Sequence, residues 1–359
     1  MNTKQIFQLM IEKEASDLYL RTKAFPRARI NGRVEIIGQK PITSAEMTAI
    51  TNLLLGSEQR RKKFIENLDI DFVHEEEGVG RFRINIFTQR GSAAIVARHV
   101  NTKMRTFEEL NLPATVLKKF CEESKGLFIV SGPAGSGKST SVASMIEHIN
   151  NISAQHVITV EDPIEFLFTD KKSIINQREL GLDVLSYPMA LKYVTQQSPD
   201  IIYIGNIRDE ATMRAAITAT ELGTFVITTF HTINAVQTIV RIVNFFPPHL
   251  HDEIRMQLSM ILKGTMSLRL LPRKDGKGRI PAYETMVVTP TVARLIREGR
   301  IREIQNYIDE GELFGMRSFK RSLVELVHNG LVNESDARHH ADSRDEFDLE
   351  IKGVKRYST

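Results

Sequence analysis

Over residues 1–100 the apolar positions fall in short runs, mostly two apart, interrupted by two stretches with helical spacing. Ile6, Leu9 and Met10 are spaced for one face of a helix, and a brief strand is predicted at Leu18–Leu20. Asn31-Gly32 stands between Ala28-Arg29-Ile30 and Val34-Glu35-Ile36, the pattern that most favours a tight hairpin turn. Ser44 is placed to cap a helix over 45–55, with Glu46 in its first turn and Met47, Ile50, Leu53 and Leu54 as its apolar set. Across Gly80–Phe87, Phe82, Ile84 and Ile86 alternate with Arg81, Arg83 and Asn85. That period of two predicts a half-buried strand with a basic outer face, and Ala93–Val100 is its predicted neighbour.

Residues 101–113 are polar, end in Leu112-Pro113 and read as a linker. Beyond them apolar strands alternate with longer helical segments, as in α/β units around a largely parallel sheet. The predicted organisation is an α+β domain over 1–100, a linker over 101–113, an α/β core over 114–290 and a helical extension with a tail over 291–359. Arg273–Arg279 contains Asp275-Gly276 and reads as a charged hairpin turn. Phe245-Phe246-Pro247-Pro248 reads as a packed helix end stopped by proline. Met256, Leu258, Met260, Ile261 and Leu262 are assigned to the core, and the charged stretch after Ala341 to a frayed end.

Charge and composition narrow the function classes. The balance of 48 Lys+Arg against 44 Asp+Glu gives a net charge of only +4, with no Trp and no basic run interleaved with aromatics. Nucleic-acid binding is therefore not expected. The densest apolar runs, Leu127–Val130, Ile201–Ile204 and Phe225–Ile227, fall far short of the ~20 residues of a membrane span. The N-terminus lacks the apolar run of a secretory signal, so a soluble, cytoplasmic protein is expected. A single cysteine, Cys121, rules out an intrachain disulfide and a multi-cysteine zinc site, and His339-His340 has no partners at metal-ligand spacing.

The chemistry concentrates in Gly132-Pro133-Ala134-Gly135-Ser136-Gly137-Lys138-Ser139, followed by Thr140. This is the full G-x-x-x-x-G-K-[ST] pattern, preceded by the apolar strand Leu127–Val130 and followed by a predicted helix over Thr140–Ile149. Glycines let backbone N–H groups converge on phosphates, and the new helix turns its positive end to the same anion. Lys138 is expected to neutralise phosphate charge and the Ser139 hydroxyl to ligate Mg²⁺, which makes ATP with Mg²⁺ the expected ligand. Three further strands are predicted to end at the same edge: His156–Val160 before Glu161, Asp200–Ile204 before Gly205-Asn206, and Phe225–Phe230 before His231. Glu161 is the candidate to orient or deprotonate the attacking water, and His231 to sense the terminal phosphate. Asn206 is an amide that can hydrogen-bond but cannot take a proton as a carboxylate does.

Taken in order, Glu161-Asp162-Pro163-Ile164-Glu165-Phe166, Ile175-Asn176-Gln177-Arg178-Glu179, Pro199-Asp200-Ile201-Ile202, Arg208-Asp209 and Thr229-Phe230-His231-Thr232 resemble the type IV pilus retraction ATPases. These are the PilT/PilU-like members of the secretion-type ATPase superfamily. Ala15-Ser16-Asp17-Leu18, Gly80-Arg81-Phe82-Arg83 with Arg98, Gly276-Lys277-Gly278-Arg279 and Leu295-Ile296-Arg297-Glu298-Gly299 extend the likeness, and Ala341-Asp342-Ser343 leans toward the PilU type. The resemblance implies a PAS-like N-terminal domain, a RecA-like P-loop ATPase core and a helical C-terminal extension. It further implies a cytoplasmic homo-hexameric ring at the inner face of the inner membrane, working on a pilus platform protein. Each site would lie between the two domains and a neighbouring subunit. Lys138, Ser139 and Thr140 would hold phosphate and Mg²⁺, Glu161 would be the Asp-box carboxylate and His231 the His-box residue. Arg81, Arg83 and Arg98 would be candidate arginine fingers, with a solvated strand face as the plainer reading. Ala293–Gly299 would couple force, where the pattern alone reads a helix end.

Four positions depart from the family pattern. Gly205-Asn206 stands for the Gly-Glu that closes the Walker B strand, Phe168 for a histidine after the Asp box, Thr224 for the first His-box histidine, and Val240-Arg241 for Asp-Arg. Binding of nucleotide is untouched by these; hydrolysis is where they bear. The chain is thus expected to be a retraction motor, with an ATP-binding but hydrolysis-impaired ring subunit acting beside a paralogous ATPase as the alternative. The lone cysteine sets it apart from the assembly and secretion branch with its tetracysteine zinc module.

Overall fold

The computed structural model describes residues 3–30, 33–100 and 104–353. Two compact units make up the chain, Met1–Lys103 and Met104–Thr359.

In the first unit, strands β1 (Asp17–Arg21), β2 (Arg27–Ile30), β3 (Arg33–Ile36), β4 (Asp69–Glu76), β5 (Gly80–Gln89) and β6 (Ser92–Val100) form one sheet in the order β3-β2-β1-β6-β5-β4. Every pairing in it is antiparallel. The Asn31-Gly32 turn lies outside the described residues; the strands flanking it pair from Arg27↔Ile36 to Ile30↔Arg33. Phe82, Ile84 and Ile86 are buried as the alternation requires, and they pack with Ile6, Phe7 and Met10 of the helix Thr3–Glu12 and with Met47, Ile50 and Leu54 of the helix Ser44–Leu55. That second helix is capped by Thr43, one residue before the expected Ser44. Thr43 accepts from the Glu46 N–H while Glu46 reaches back to the Thr43 N–H, which closes a capping box. A third helix, Glu58–Asn67, carries no apolar stripe and buries no residue; Ser57 caps it.

The second unit is built on β7 (Gly126–Ser131), β8 (His156–Glu161), β9 (Ile174–Glu179), β10 (Ile201–Ile204), β11 (Phe225–Phe230), β12 (Leu262–Pro272) and β13 (Arg279–Val287), ordered β13-β12-β7-β11-β10-β8-β9. All neighbours pair in parallel except the β12–β13 hairpin, whose turn is the charged segment after Pro272. β7, β10 and β11 are buried along their whole length, as the unbroken apolar runs require for a sheet covered on both faces. The unit starts at Met104, and Phe107 and Leu112, within the stretch expected to be linker, are buried in its core. Cys121 ends the helix Ala114–Cys121 and is buried, its Sγ 3.8 Å from the Met145 carbonyl oxygen.

Two expectations need correction here. On the helix His251–Ile261, Ile254, Leu258 and Ile261 face the core, but Met256 and Met260 lie on the outer side and are 46% and 62% exposed. The charged stretch after Ala341 is not frayed as far as residue 353. Ser343 caps a helix Arg344–Ile351 whose Phe347 is fully buried with Phe319 and Leu323, and Asp348 holds Arg338 at 2.8 Å. Phe347, a partly buried Ile351 and the ion pairs Arg338–Asp348 and Lys320–Glu346 dock a short helix that reads as polar. Leu295 and Ile296, in the helix Pro290–Arg297, are core residues packed with Ile254 and Leu258. Among the described residues no helix is long and apolar enough to cross a membrane.

Candidate functional site

The carboxyl ends of β7, β11, β10 and β8 lie side by side at one edge of the sheet. β7 feeds Gly132–Gly137, and the helix Lys138–Ile152 starts at once, with Gly137 as its N-cap at φ +98° and no side chain to satisfy its first N–H groups. That leaves backbone donors at the positive end of a helix, the arrangement that binds phosphate. Gly132 adopts φ +148°; a Cβ there would stand 2.4 Å from Ser136 Oγ and 2.6 Å from the Leu268 carbonyl oxygen, so only glycine fits. Lys138 is buried and its Nζ donates to the Gly132 and Pro133 carbonyls, both at 2.9 Å. Burial pulls its pKa below the usual lysine value, while the nearby Glu165 opposes that shift.

Ser139 Oγ donates to Glu165 Oε1 at 2.9 Å. A hydroxyl and a carboxylate oxygen sharing one spot are the donor set a hard divalent cation prefers. Glu161, at the end of β8, stands three strands from β7, about 14 Å at ~4.8 Å per strand. The loop after Glu161, rather than the strand end itself, carries a carboxylate to the phosphate loop. Two side chains of β9 hold that loop. Gln177 donates to the Phe166 carbonyl at 2.7 Å and to Glu161 at 3.2 Å and accepts from the Phe168 N–H, and Glu179 accepts from the Ile164 N–H at 3.1 Å. Glu161 itself is buried and accepts from Thr159 Oγ1 at 2.7 Å. Burial raises its pKa to about 7, against the Thr159 and Gln177 hydrogen bonds and with help from the Glu165 charge.

Asn206 follows β10 and is 8% exposed, and its Oδ1 has no hydrogen-bond partner. Gly205 before it lets the ends of β8 and β10 close up: a Cβ there would lie 3.2 Å from both Glu161 Cα and the Tyr187 hydroxyl. His231, after β11, is exposed on the same edge. Partial enclosure lowers its pKa, and the positive charges of Lys138 and Arg208 add to the effect, which favours neutral imidazole. Asn206, Arg208, His231, Gln237, Arg241 and Phe245 line a cleft of about 570 Å³ over these strand ends.

Arg81, Arg83 and Arg98 belong to the first unit. Arg83 Nε is bound to Asp71 at 2.9 Å and Arg98 Nε to Asp17 at 2.9 Å, while Arg81 lies opposite Glu75 in the β4–β5 pairing. The motif residue Asp17 also receives Arg29 at 3.3 Å, so its local work is to tie β1 to its neighbours. Glu165, Gln177 and Glu179 were visible in sequence as motif letters, but nothing in their spacing shows which one turns toward Ser139.

Comparison with known proteins fits this geometry. The family described as type II/IV secretion system protein matches residues 2–332. The chain is 39% identical to the type IV pilus ATPase PilU of Pseudomonas aeruginosa over 98% of its own length and 92% of that protein's. It is 38% identical to the type IV pilus retraction ATPase PilT of the same organism, over 97% of this chain and all of PilT. A crystal structure of the pilus retraction motor PilT with bound ADP superposes with a TM-score of 0.89 at 38% identity, covering 96% of this chain and 98% of that one. A phosphate loop, a capped Asp-box loop and nearly full-length likeness thus agree: the chain belongs to the type II/IV secretion system protein family, among its pilus retraction ATPases.

Proposed function

We propose that this chain hydrolyses magnesium-bound ATP and, as a homo-hexameric ring, uses the energy to drive type IV pilus retraction. The observation that carries the reading is the meeting of Ser139 and Glu165 at 2.9 Å beside buried Lys138, at the mouth of an intact phosphate loop. The backbone of Gly132–Ser139 would cradle the phosphates, with Pro133 to Ser136 as the loop's arch and Thr140 in the first turn beneath. Lys138 would leave the two carbonyls it now holds and neutralise phosphate charge. Ser139 and Glu165 would hold Mg²⁺, which supplies charge neutralisation on the phosphate oxygens. Water attacks the terminal phosphorus, the bond from phosphorus to the bridging oxygen breaks, ADP leaves, and the water's proton passes to Glu161. A carboxylate held near pH 7 can take that proton and release it again. His231, neutral and exposed beyond β11, would face the terminal phosphate.

Steady-state phosphate release tests the reading. Wild type turns over, Lys138→Ala lowers kcat at least about 100-fold, and Glu161→Gln does the same. A Lys138→Ala variant with wild-type turnover would sink it. The relatives are named as type IV pilus ATPases, and we infer from that a place at the cytoplasmic face of the inner membrane, against a pilus platform protein. The family's arginine role would require Arg83 and Arg98 to exchange Asp71 and Asp17 for a nucleotide. One observation favours a second reading: the strand end beside Glu161 carries the amide of Asn206. On that reading the chain binds ATP, hydrolyses it slowly and serves in a ring or beside a paralogous retraction ATPase.

A further inference from the structure

The first unit carries a groove of about 310 Å³, lined by the helices Ser44–Leu55 and Glu58–Asn67. Thr48, Thr51, Asn52 and Leu55, spaced as one stripe of the first helix, form one wall. Arg61, Phe64 and Ile65 share a side of the second helix and form the other, and Ala93 of β6 completes the lining. We propose that this groove binds a small amphipathic carboxylate, an apolar chain with one acidic end. Every lining residue belongs to the first unit and the phosphate loop to the second, so such a site goes beyond the ATPase reading.

The apolar chain follows from what the walls leave uncovered. The helix Glu58–Asn67 buries none of its residues: Ile65 is 73% exposed and Phe64 only partly buried. Buried Leu55 and partly buried Ala93 add apolar surface to the same lining. The acidic end follows from Arg61. Its neighbour Arg60 is engaged, with its guanidinium 4.4 Å from the Phe72 ring centre. Arg61 is exposed, and among the described residues its guanidinium has no hydrogen bond or ion pair. Lys62 and Lys63 stand ~100° and ~200° further round the helix and do not line the groove. One cation in the lining suits one carboxylate, held by two parallel hydrogen bonds, rather than a layer of anionic headgroups. Thr48 gives its hydroxyl to the Ser44 carbonyl at 3.0 Å, whereas the buried Thr51 hydroxyl has no partner and remains a donor for a ligand oxygen. The volume lies at the lower end of the ~300–1,000 Å³ range of small-molecule sites, which suits a single short chain.

Calorimetry of decanoate on the full chain tests this, with acetate as the acidic end alone and decanol as the uncharged chain. We expect one decanoate to bind per chain, and acetate and decanol to bind at least about tenfold more weakly. Arg61→Gln should weaken decanoate about tenfold, and Ala93→Leu, which fills the groove, at least as much. Arg61 is exposed, so its variant reads the site even if Ala93→Leu disturbs packing. Wild type that binds no decanoate overturns the proposal, and so does equal affinity in wild type and Arg61→Gln, which would mark nonspecific adsorption. Decanol bound as tightly as decanoate overturns the acidic end. Capture of the chain by phosphatidylglycerol vesicles without decanoate binding would make this face a membrane contact, and an Arg61-dependent dimer in sedimentation without decanoate binding a contact between copies; either overturns the carboxylate site.

Discussion

Asn206 sits where a strand end meets the phosphate edge, with an unpartnered Oδ1 in a cleft that it shares with Arg208, whose positive charge gives the local field its sign. A carboxylate suits that field and can position or deprotonate water; an amide only hydrogen-bonds. Asn206→Glu is therefore expected to raise kcat about tenfold, or ~1.4 kcal/mol of barrier, in a phosphate-release assay. A variant no faster than wild type would show that Glu161 already carries the proton. This scale was only partly legible from sequence. Lys138, Ser139 and the glycines are fixed by a contiguous pattern, because the loop's geometry is local. The Ser139–Glu165 bond joins residues 26 apart and depends on how β9 side chains fold back the loop after Glu161.

Among the elements, the helix Ala235–Val243 shows how the sheet aims a cleft-lining face. Asn234 caps it, and Glu284 of β13 accepts from its Ala235 N–H at 2.8 Å. Burial lifts the Glu284 pKa from 4.5 to about 7, against the Ala235 hydrogen bond and with the Asp342 charge adding to the rise. Between those values the folded chain keeps a proton that the unfolded chain has released. Stability is thus highest below pH 4.5 as far as this group is concerned, falls as pH rises through the window, and levels off above 7, by about 3 kcal/mol in total. Glu284→Gln keeps an acceptor for Ala235 but cannot titrate. Thermal unfolding between pH 5 and 8 should show a shallower decline in that variant; an unaltered slope would place the titration elsewhere. The alternation of β5 and the unbroken apolar run of β7 were legible in the sequence. Glu58–Asn67 was not, because a helix held by its cap and its neighbours rather than an apolar stripe leaves no periodic trace. The same reason hid the docking of Arg344–Ile351 through Phe347 and the Arg338–Asp348 pair.

At the scale of the whole molecule the two units keep separate cores, one from Ile6 to Ala97 and the others wholly within Met104–Thr359. The change from alternating to continuous apolar runs made that division readable, although the boundary segment belongs with the second unit through Phe107 and Leu112. Cys121, first of interest because it excludes disulfides and a cysteine zinc site, has a further use. Its thiol is buried in the second unit, and burial pushes its pKa well above the ordinary thiol value, so little thiolate exists in the native state. A thiol reagent should then modify the chain only when the second unit opens, and saturating ADP should slow that reaction by favouring the closed form. Rapid labelling of the native chain would contradict the burial. With one sulfhydryl in 359 residues, the chain carries a built-in chemical reporter of when its nucleotide-binding half breathes, with no engineered probe required.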